Sequence, residues 1–300
     1  MDERFPVDGD TARSWVAVAH GARLANHILR AVQDPPPGSN FEQVNERYPW
    51  EKASDWHRAY LIAALEHLLL WADLAAPFKF HPEQEVTHAF RPAYTLARAA
   101  LESAAQAVWM SGGDNADECA RRHLSLIRWD YDEHRKSLRD VTAKDEVRAL
   151  DAKLLRRCSA RFTEQDLTKP SHLTVLRAAA PIAGIQPDDM ERMWRAASGA
   201  AHGRRWASLA LQQVVPVEEY EPGQFRALTV PDPDGMTEIL DTAQALTFHG
   251  VLRHAAFCDA DIQVLLDNAR LWLVSVVPFR GDADPSVIAH LARQPGADAS

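Results

Sequence analysis

Apolar residues recur along most of this chain with the spacing of an α-helix, and this periodicity constrains the fold more than any other feature. Trp15, Val18, Ala22 and Leu29, for example, lie on one stripe of an amphipathic helix that the prolines from Pro35 onward end. The pattern therefore predicts an all-α fold, a multi-helix bundle of about eight or nine helices. The predicted helices cover residues 11–33, 51–75, 86–109, 114–138, 144–162, 171–180, 187–201, 235–257 and 260–277.

One region departs from the helical period. Residues 214–217 and 225–230 are rich in β-branched and aromatic side chains, and a Glu-Pro-Gly turn separates them, which predicts one small β-hairpin insertion. Thr11, Asp114 or Asn115, and Asp234 are the predicted N-caps of their helices. The organisation that follows is a single α-helical domain over 1–279, with N-terminal helices in 11–75, C-terminal helices in 235–277 and a flexible tail over 280–300.

Charge, the length of apolar runs and the spacing of cysteines limit which classes of protein this chain can belong to. The first residues are acidic and polar, unlike a secretory signal, and no apolar run reaches the ~20 residues of a membrane span. The three cysteines are widely spaced, which favours reduced thiols and a cytoplasmic protein. A net charge of −9 argues against an extended nucleic-acid coat but leaves room for a local basic site.

The segment 190–206, MERMWRAASGAAHGRRW, carries the strongest functional signal. Arg195 and His202 are seven residues apart, so on a helix they lie about 20° apart around the axis and ~10 Å apart along it, with Ser198 between them. The intervening alanines and glycines would let another helix, or a second copy of this one, approach closely. Gly203 favours a left-handed helix end that places His202 in the last turn, and Arg205 follows in the same basic cluster.

A histidine that exchanges a proton beside an arginine that binds a phosphate suits cleavage of RNA by its own 2′-hydroxyl. At these residues the chain resembles the HEPN superfamily, whose ribonucleases carry an Arg, four to six residues, and a His on one helix. That resemblance implies a metal-independent endoribonuclease or an RNA-binding protein of a toxin or phage-defence type, with a homodimer formed through the Arg195 to His202 helix. It implies no cofactor. Ala196 departs from the family, which often has a polar residue there.

A second polar stripe supports the resemblance. Arg91, Tyr94, Arg98 and Glu102 follow the steps i, i+3, i+7 and i+11 on the predicted helix 86–109, where Arg98 and Glu102 can pair at i, i+4. An Arg/Glu-bearing helix followed by a Ser…His-Gly segment is similar to several bacterial HEPN-like proteins. This extends the resemblance to a core of about residues 85–210.

Structural roles compete with each catalytic one. His202 can act as a helix C-cap, Arg195 can pair with Glu191 or Asp188, and Arg98 with Glu102 can tie two helices together. A non-catalytic regulator or scaffold that binds a protein partner is therefore the main alternative.

A helical enzyme that depends on a metal or an organic ligand is the second alternative. Glu85 to His88 is the one Glu-x-x-His match, which Asp130, Glu133 and His134 could extend, but a second such motif is missing, so no metal site is predicted. The pairs His20 with His27 and His249 with His254 are expected to be core or partly exposed histidines. Nine tryptophans line either a pocket or the core, and the core is expected.

Overall fold

The computed structural model describes residues 7–79 and 88–277. Within them the fold is mostly helical, with eleven α-helices, one 3-10 turn and one two-stranded antiparallel hairpin, so the predicted fold class is confirmed. The α-helices are α1 (Gly9–Ala31), α2 (Asn40–Arg47), α3 (Ala53–Ala75), α4 (Phe90–Ser111), α5 (Ala116–Ser137), α6 (Val141–Cys158), α7 (His172–Ala179), α8 (Pro187–Ala201), α9 (Arg205–Ala210), α10 (Pro233–Phe257) and α11 (Ile262–Val276). The hairpin strands are β1 (Gln212–Glu221) and β2 (Gln224–Pro231).

Helix α4 is the centre of the fold. It packs against α3 and α10, which with α1 form a four-helix core, and its other side contacts α7 and α8. Alanine is the commonest residue on its buried face, as at Ala97, Ala100 and Ala104, so neighbouring helices come close on several sides. Helices α2, α5 and α6 pack together beside this core, and α11 lies on α1.

Helix ends follow local capping chemistry. Asn115 caps α5 by accepting the backbone N–H of Glu118 at 2.9 Å, as predicted. The other two predicted caps are wrong. Asp8 caps α1 in place of Thr11, and Asp232 caps α10 in place of Asp234, because in each case the earlier aspartate has extended backbone and reaches the N–H three residues on.

Some helix boundaries in the structure differ from the predicted ones. The helix predicted from residue 144 begins at Val141 and ends at Cys158, with Asp140 as its cap. The predicted start of α4 at residue 86 and the predicted tail at 280–300 lie outside the described residues. Among the helices that the structure describes, none has both the length and the apolar character needed to cross a bilayer.

Candidate functional site

The end of α8 is built as the glycine pattern predicts. Gly203 has φ of +68°, and its N–H donates to the carbonyl of Ala200 at 3.1 Å, while the N–H of Arg204 donates to the carbonyl of Gly199 at 2.8 Å. This pair of bonds is a Schellman motif. It leaves His202 as the C-cap, exposed to solvent, at the point where the chain turns into α9.

The small residues of α8 are covered within the chain. Ala197 and Ala200 are buried in the core that α4 shares. A Cβ at Gly199 would lie 2.7 Å from the Trp206 ring, so the glycine is what lets α9 fold back onto α8. Of the two partners predicted for these small residues, another helix or a second copy, the structure shows the first, since α4 and α9 of the same chain cover them. The part of α8 that stays exposed carries its charged side chains.

His202 lies beside an arginine of α4. Its Nε2 is 3.4 Å from Nη1 of Arg98, although the two residues are 104 positions apart in the chain. The Nε of Arg98 donates to Oε1 of Glu102 at 2.9 Å, and the same carboxylate oxygen accepts the indole N–H of Trp194 at 2.6 Å. Trp194 belongs to α8, so this network ties α4 to α8 and holds the Arg98 guanidinium against the imidazole.

The network is part-buried at the pair of Arg98 and Glu102 and exposed at His202. The side chains of Arg98 and Glu102 are 23% and 17% exposed, and His202 is exposed. Water is thus partly excluded around the ion pair, whereas one side of the imidazole is free to meet a ligand.

Arg195 has its own partner on the same helix. Its Nε donates to Oε1 of Glu191 at 2.7 Å, and Glu191 also accepts from Arg177 of α7 at 2.6 Å. These hydrogen bonds to Arg195 and Arg177 lower the pKa of Glu191. The Arg195 side chain is still 55% exposed, so it lies at the surface two turns before His202, and its ion pair is with Glu191, not with His202.

The remaining predicted residues divide between surface and core. Ser198 is half-buried, and its carbonyl accepts the backbone N–H of His202 at 3.1 Å. Arg91 donates to the carbonyl of Ala200 at 2.9 Å and caps the end of α8, where a cation is favourable. Arg205 begins α9 and is exposed.

Tyr94 does not share this surface, which corrects the predicted stripe. It is 1% exposed and packs edge-on against Phe90, and its hydroxyl, buried near Gly235, has no hydrogen-bond partner among the described residues. Burial, followed by the nearby carboxylates of Asp232 and Glu238, raises the pKa of Tyr94 well above its ordinary value. Position i+3 on α4 therefore points into the core, whereas Arg91, Arg98 and Glu102 lie at the edge that meets α8.

A second histidine cluster lies in the core. A core position was among the expectations for His254, but its contact with His57 was not predicted. Nδ1 of His57 is 3.2 Å from Nδ1 of His254, and Nε2 of His57 is 3.2 Å from the hydroxyl of Ser111. Arg253 donates to that hydroxyl at 3.0 Å, and the thiol of Cys258 is 3.8 Å from Nε2 of His254. We define these five residues as the buried histidine cluster.

One pattern of donors satisfies every contact in the buried histidine cluster. The Cys258 thiol donates to His254, His254 donates through Nδ1 to His57, and His57 donates through Nε2 to Ser111, whose hydroxyl donates to the Ala107 carbonyl at 3.1 Å. Both rings are then neutral. Burial agrees with this, because it lowers the pKa of His57 well below its ordinary value and that of His254 to about 3.

The described residues contain no group of three or more His, Cys, Asp or Glu side chains that could hold a metal ion. Glu85 lies outside them. His88 packs between two indoles, with ring centres 4.7 Å from Trp15 and 5.0 Å from Trp71. Asp130, Glu133 and His134 lie on α5, where His134 is exposed.

The other predicted histidines and the tryptophans are mostly packing groups. His27 stacks on Trp272 with ring centres 4.5 Å apart, and burial lowers the pKa of His20 and of His249. Trp15, Trp71 and Trp109 are buried in the core. Trp50 and Trp206 are about half exposed. The three cysteines are free and buried.

Comparisons of the chain with protein-family models, with curated proteins and with solved structures gave no match. The resemblance to the HEPN superfamily therefore depends only on the residues of α4 and α8 described above.

Proposed function

We propose that the chain is a HEPN-like RNA-binding protein that cleaves RNA without a metal ion, in a toxin or phage-defence role. The observation that carries the proposal is the exposed His202 at the end of α8, with the Arg98 guanidinium 3.4 Å from its Nε2. An imidazole can accept the 2′-hydroxyl proton or protonate the leaving oxygen, and a guanidinium beside it can bind the scissile phosphate.

The proposed roles follow from position. His202 transfers the proton, Arg98 holds the phosphate next to it, and Glu102 with Trp194 positions Arg98. Arg195, more exposed and two turns away, binds a flanking phosphate, and Ser198 orients the motif. Arg91 supports the end of α8 through the Ala200 carbonyl. Two such surfaces act together in the proposed homodimer.

RNA cleavage by the full chain in the presence of a chelator tests the proposal. We expect His202→Ala to lower the cleavage rate by ~10²–10⁴-fold, the usual contribution of a general acid or base. His134→Ala is the matched control, because His134 is also exposed and also lies at the C-terminal end of a helix. Equal activity of His202→Ala and wild type, or loss of cleavage on chelation alone, would refute the mechanism.

Variants of Arg98 and Arg195 test which of the two guanidinium groups binds the scissile phosphate. Arg98→Ala should slow cleavage more than Arg195→Ala, because Arg98 is the guanidinium in contact with His202. Arg192→Ala controls for charge, since Arg192 is on α8 with the same 55% side-chain exposure as Arg195 but pairs with Glu238 on α10. If Arg192→Ala is as damaging as Arg98→Ala, general electrostatic attraction accounts for the effect.

A non-catalytic scaffold is the second candidate, and one observation favours it. Arg98, Glu102 and Trp194 all have partners within the chain, which is the arrangement of a structural tie between helices. On this account Arg98→Ala lowers the free energy of unfolding, and the wild-type chain has no ribonuclease activity.

A further inference from the structure

Exposed large hydrophobic side chains are concentrated on α9 and the hairpin. Among the described residues, sixteen large hydrophobic side chains are exposed, and six of them fall within residues 206–225. These six are Trp206, Leu209, Val214, Val217, Tyr220 and Phe225. Such a density of exposed apolar side chains over one short stretch is uncommon on the surface of a monomeric protein.

The hairpin cannot bury these side chains itself. Within the part of the chain that the structure describes, its strands pair only with each other, and β1 also contacts α9 at the base of the hairpin. Val214, Tyr220 and Phe225 are 62%, 53% and 51% exposed. A two-stranded sheet without a third strand or a covering layer is marginally stable in water.

The two free edges of the hairpin differ. Strand β1 contains Pro216 and two bulges, at the extra residues Val217 and Tyr220, and its distal half carries three glutamates. Prolines, bulges and charges are the features that prevent an edge strand from pairing. Strand β2 has no extra residue in the register, no proline between Gln224 and Val230, and one charged side chain, Arg226. The edge that remains open to pairing is therefore β2.

We propose that β2 pairs antiparallel with β2 of a second copy of this chain, so that two hairpins form one four-stranded sheet across a two-fold axis. The axis passes through Ala227, the middle residue of 224–230. This register places Phe225 opposite Thr229 of the partner subunit, an aromatic and β-branched pair, and Arg226 opposite Leu228 of the partner subunit. No like charges face each other, so the strand is complementary to itself.

Pairing through β2 extends the hairpin from two strands to four, and three or more strands with an apolar face are what an independently stable sheet needs. Of the six exposed side chains only Phe225 belongs to β2, and the pairing brings it against Thr229 of the partner subunit. This interface does not depend on the proposed RNA chemistry. It also avoids the small-residue face of α8, which α4 and α9 already cover.

Sedimentation of the full chain with charge variants at the axis tests the pairing. Because Ala227 faces its own copy, Ala227→Lys and Ala227→Glu should each raise the dimer dissociation constant at least tenfold, or about 1.4 kcal/mol. An equimolar mixture of the two variants should restore the dimer, since lysine then faces glutamate. Val214→Lys is the matched control, because it adds the same charge to the same exposed region of the hairpin on the blocked strand β1 and should leave the dimer intact.

Far-UV circular dichroism establishes that each variant keeps its helices. A monomeric wild type at micromolar concentration would overturn the proposal, and so would a dimer that Val214→Lys weakens as much as Ala227→Lys does. A mixture of the two Ala227 variants that stays monomeric would also overturn the proposed axis.

Discussion

Two histidine-containing networks attach α4 to its neighbours, and they differ in their access to water. The buried histidine cluster joins α3, α4 and α10, and its two rings are 0% and 1% exposed. The network of Arg98, Glu102, Trp194 and His202 joins α4 to α8 and opens to solvent at His202. Complete burial restricts a histidine to hydrogen bonding and packing, whereas an open position leaves the ring available to a ligand.

The largest expected difference between the networks is in stability. His57→Ala should lower the free energy of unfolding by at least ~3 kcal/mol, because it leaves a cavity and removes the partners of His254 and Ser111. His202→Ala should change it by no more than about 0.5 kcal/mol, as is usual at an exposed site. Urea unfolding of both variants measures the difference. If the two losses are equal, the contrast between the networks is wrong.

The next largest difference between the networks is expected in the pH dependence of stability, because a buried ring resists protonation. The pKa of His254 is about 3 in the folded chain because the ring is buried, whereas an unfolded histidine titrates near 6.5. Between these values the unfolded chain binds the proton and the folded chain does not, so stability falls as the pH falls. The expected loss is about 1.4 kcal/mol per pH unit for this ring, and the stability it contributes is fully present above pH 6.5.

Unfolding measured at pH 7 and pH 5 tests this slope. His254→Gln removes the titrating ring and should make the slope shallower, whatever its effect on stability at pH 7. An unchanged slope would show that His254 accepts a proton in the folded chain.

A smaller effect is expected when the hydrogen bond that positions Arg98 through Glu102 is removed. Trp194→Phe keeps an aromatic ring but removes the indole N–H that donates to Glu102, which frees Arg98 to move away from His202. We expect a loss of roughly 0.5–1.5 kcal/mol in stability, the net worth of one hydrogen bond. Any cleavage activity should fall through the rate constant, with the RNA affinity little changed. A loss of affinity alone would mean that Trp194 contacts RNA directly.

Local signals predicted most of the fold and part of the candidate site. The left-handed Gly203 and the cap position of His202 follow from one glycine after a helical run, and the Arg98 to Glu102 pair follows from i, i+4 spacing. Helix α2 was not predicted, because its buried residues, Phe41 and Val44, are too few to establish a period.

Contacts between distant segments could not be predicted in this way. Arg98 meets His202 across 104 residues, and His57 meets His254 across 197. No spacing rule relates such positions, since the packing of α4 against α8 and of α3 against α10 brings them together. The inward turn of Tyr94 also depends on packing, because a tyrosine at i+3 from Arg91 suits either a polar edge or the core.

Cleavage of two matched RNA oligonucleotides, in the presence of a chelator, is the sharpest test of whether His202 cuts RNA through its own 2′-hydroxyl. One oligonucleotide is all-ribose and the other carries a single 2′-deoxy nucleotide at the preferred cleavage position. We expect the wild-type chain to cut the first at that position, leaving a cyclic phosphate, and not to cut the second there. We expect His202→Ala to lose this activity while its helices stay folded. Cleavage of both oligonucleotides at the same rate, or of neither by the folded wild type, would contradict this mechanism.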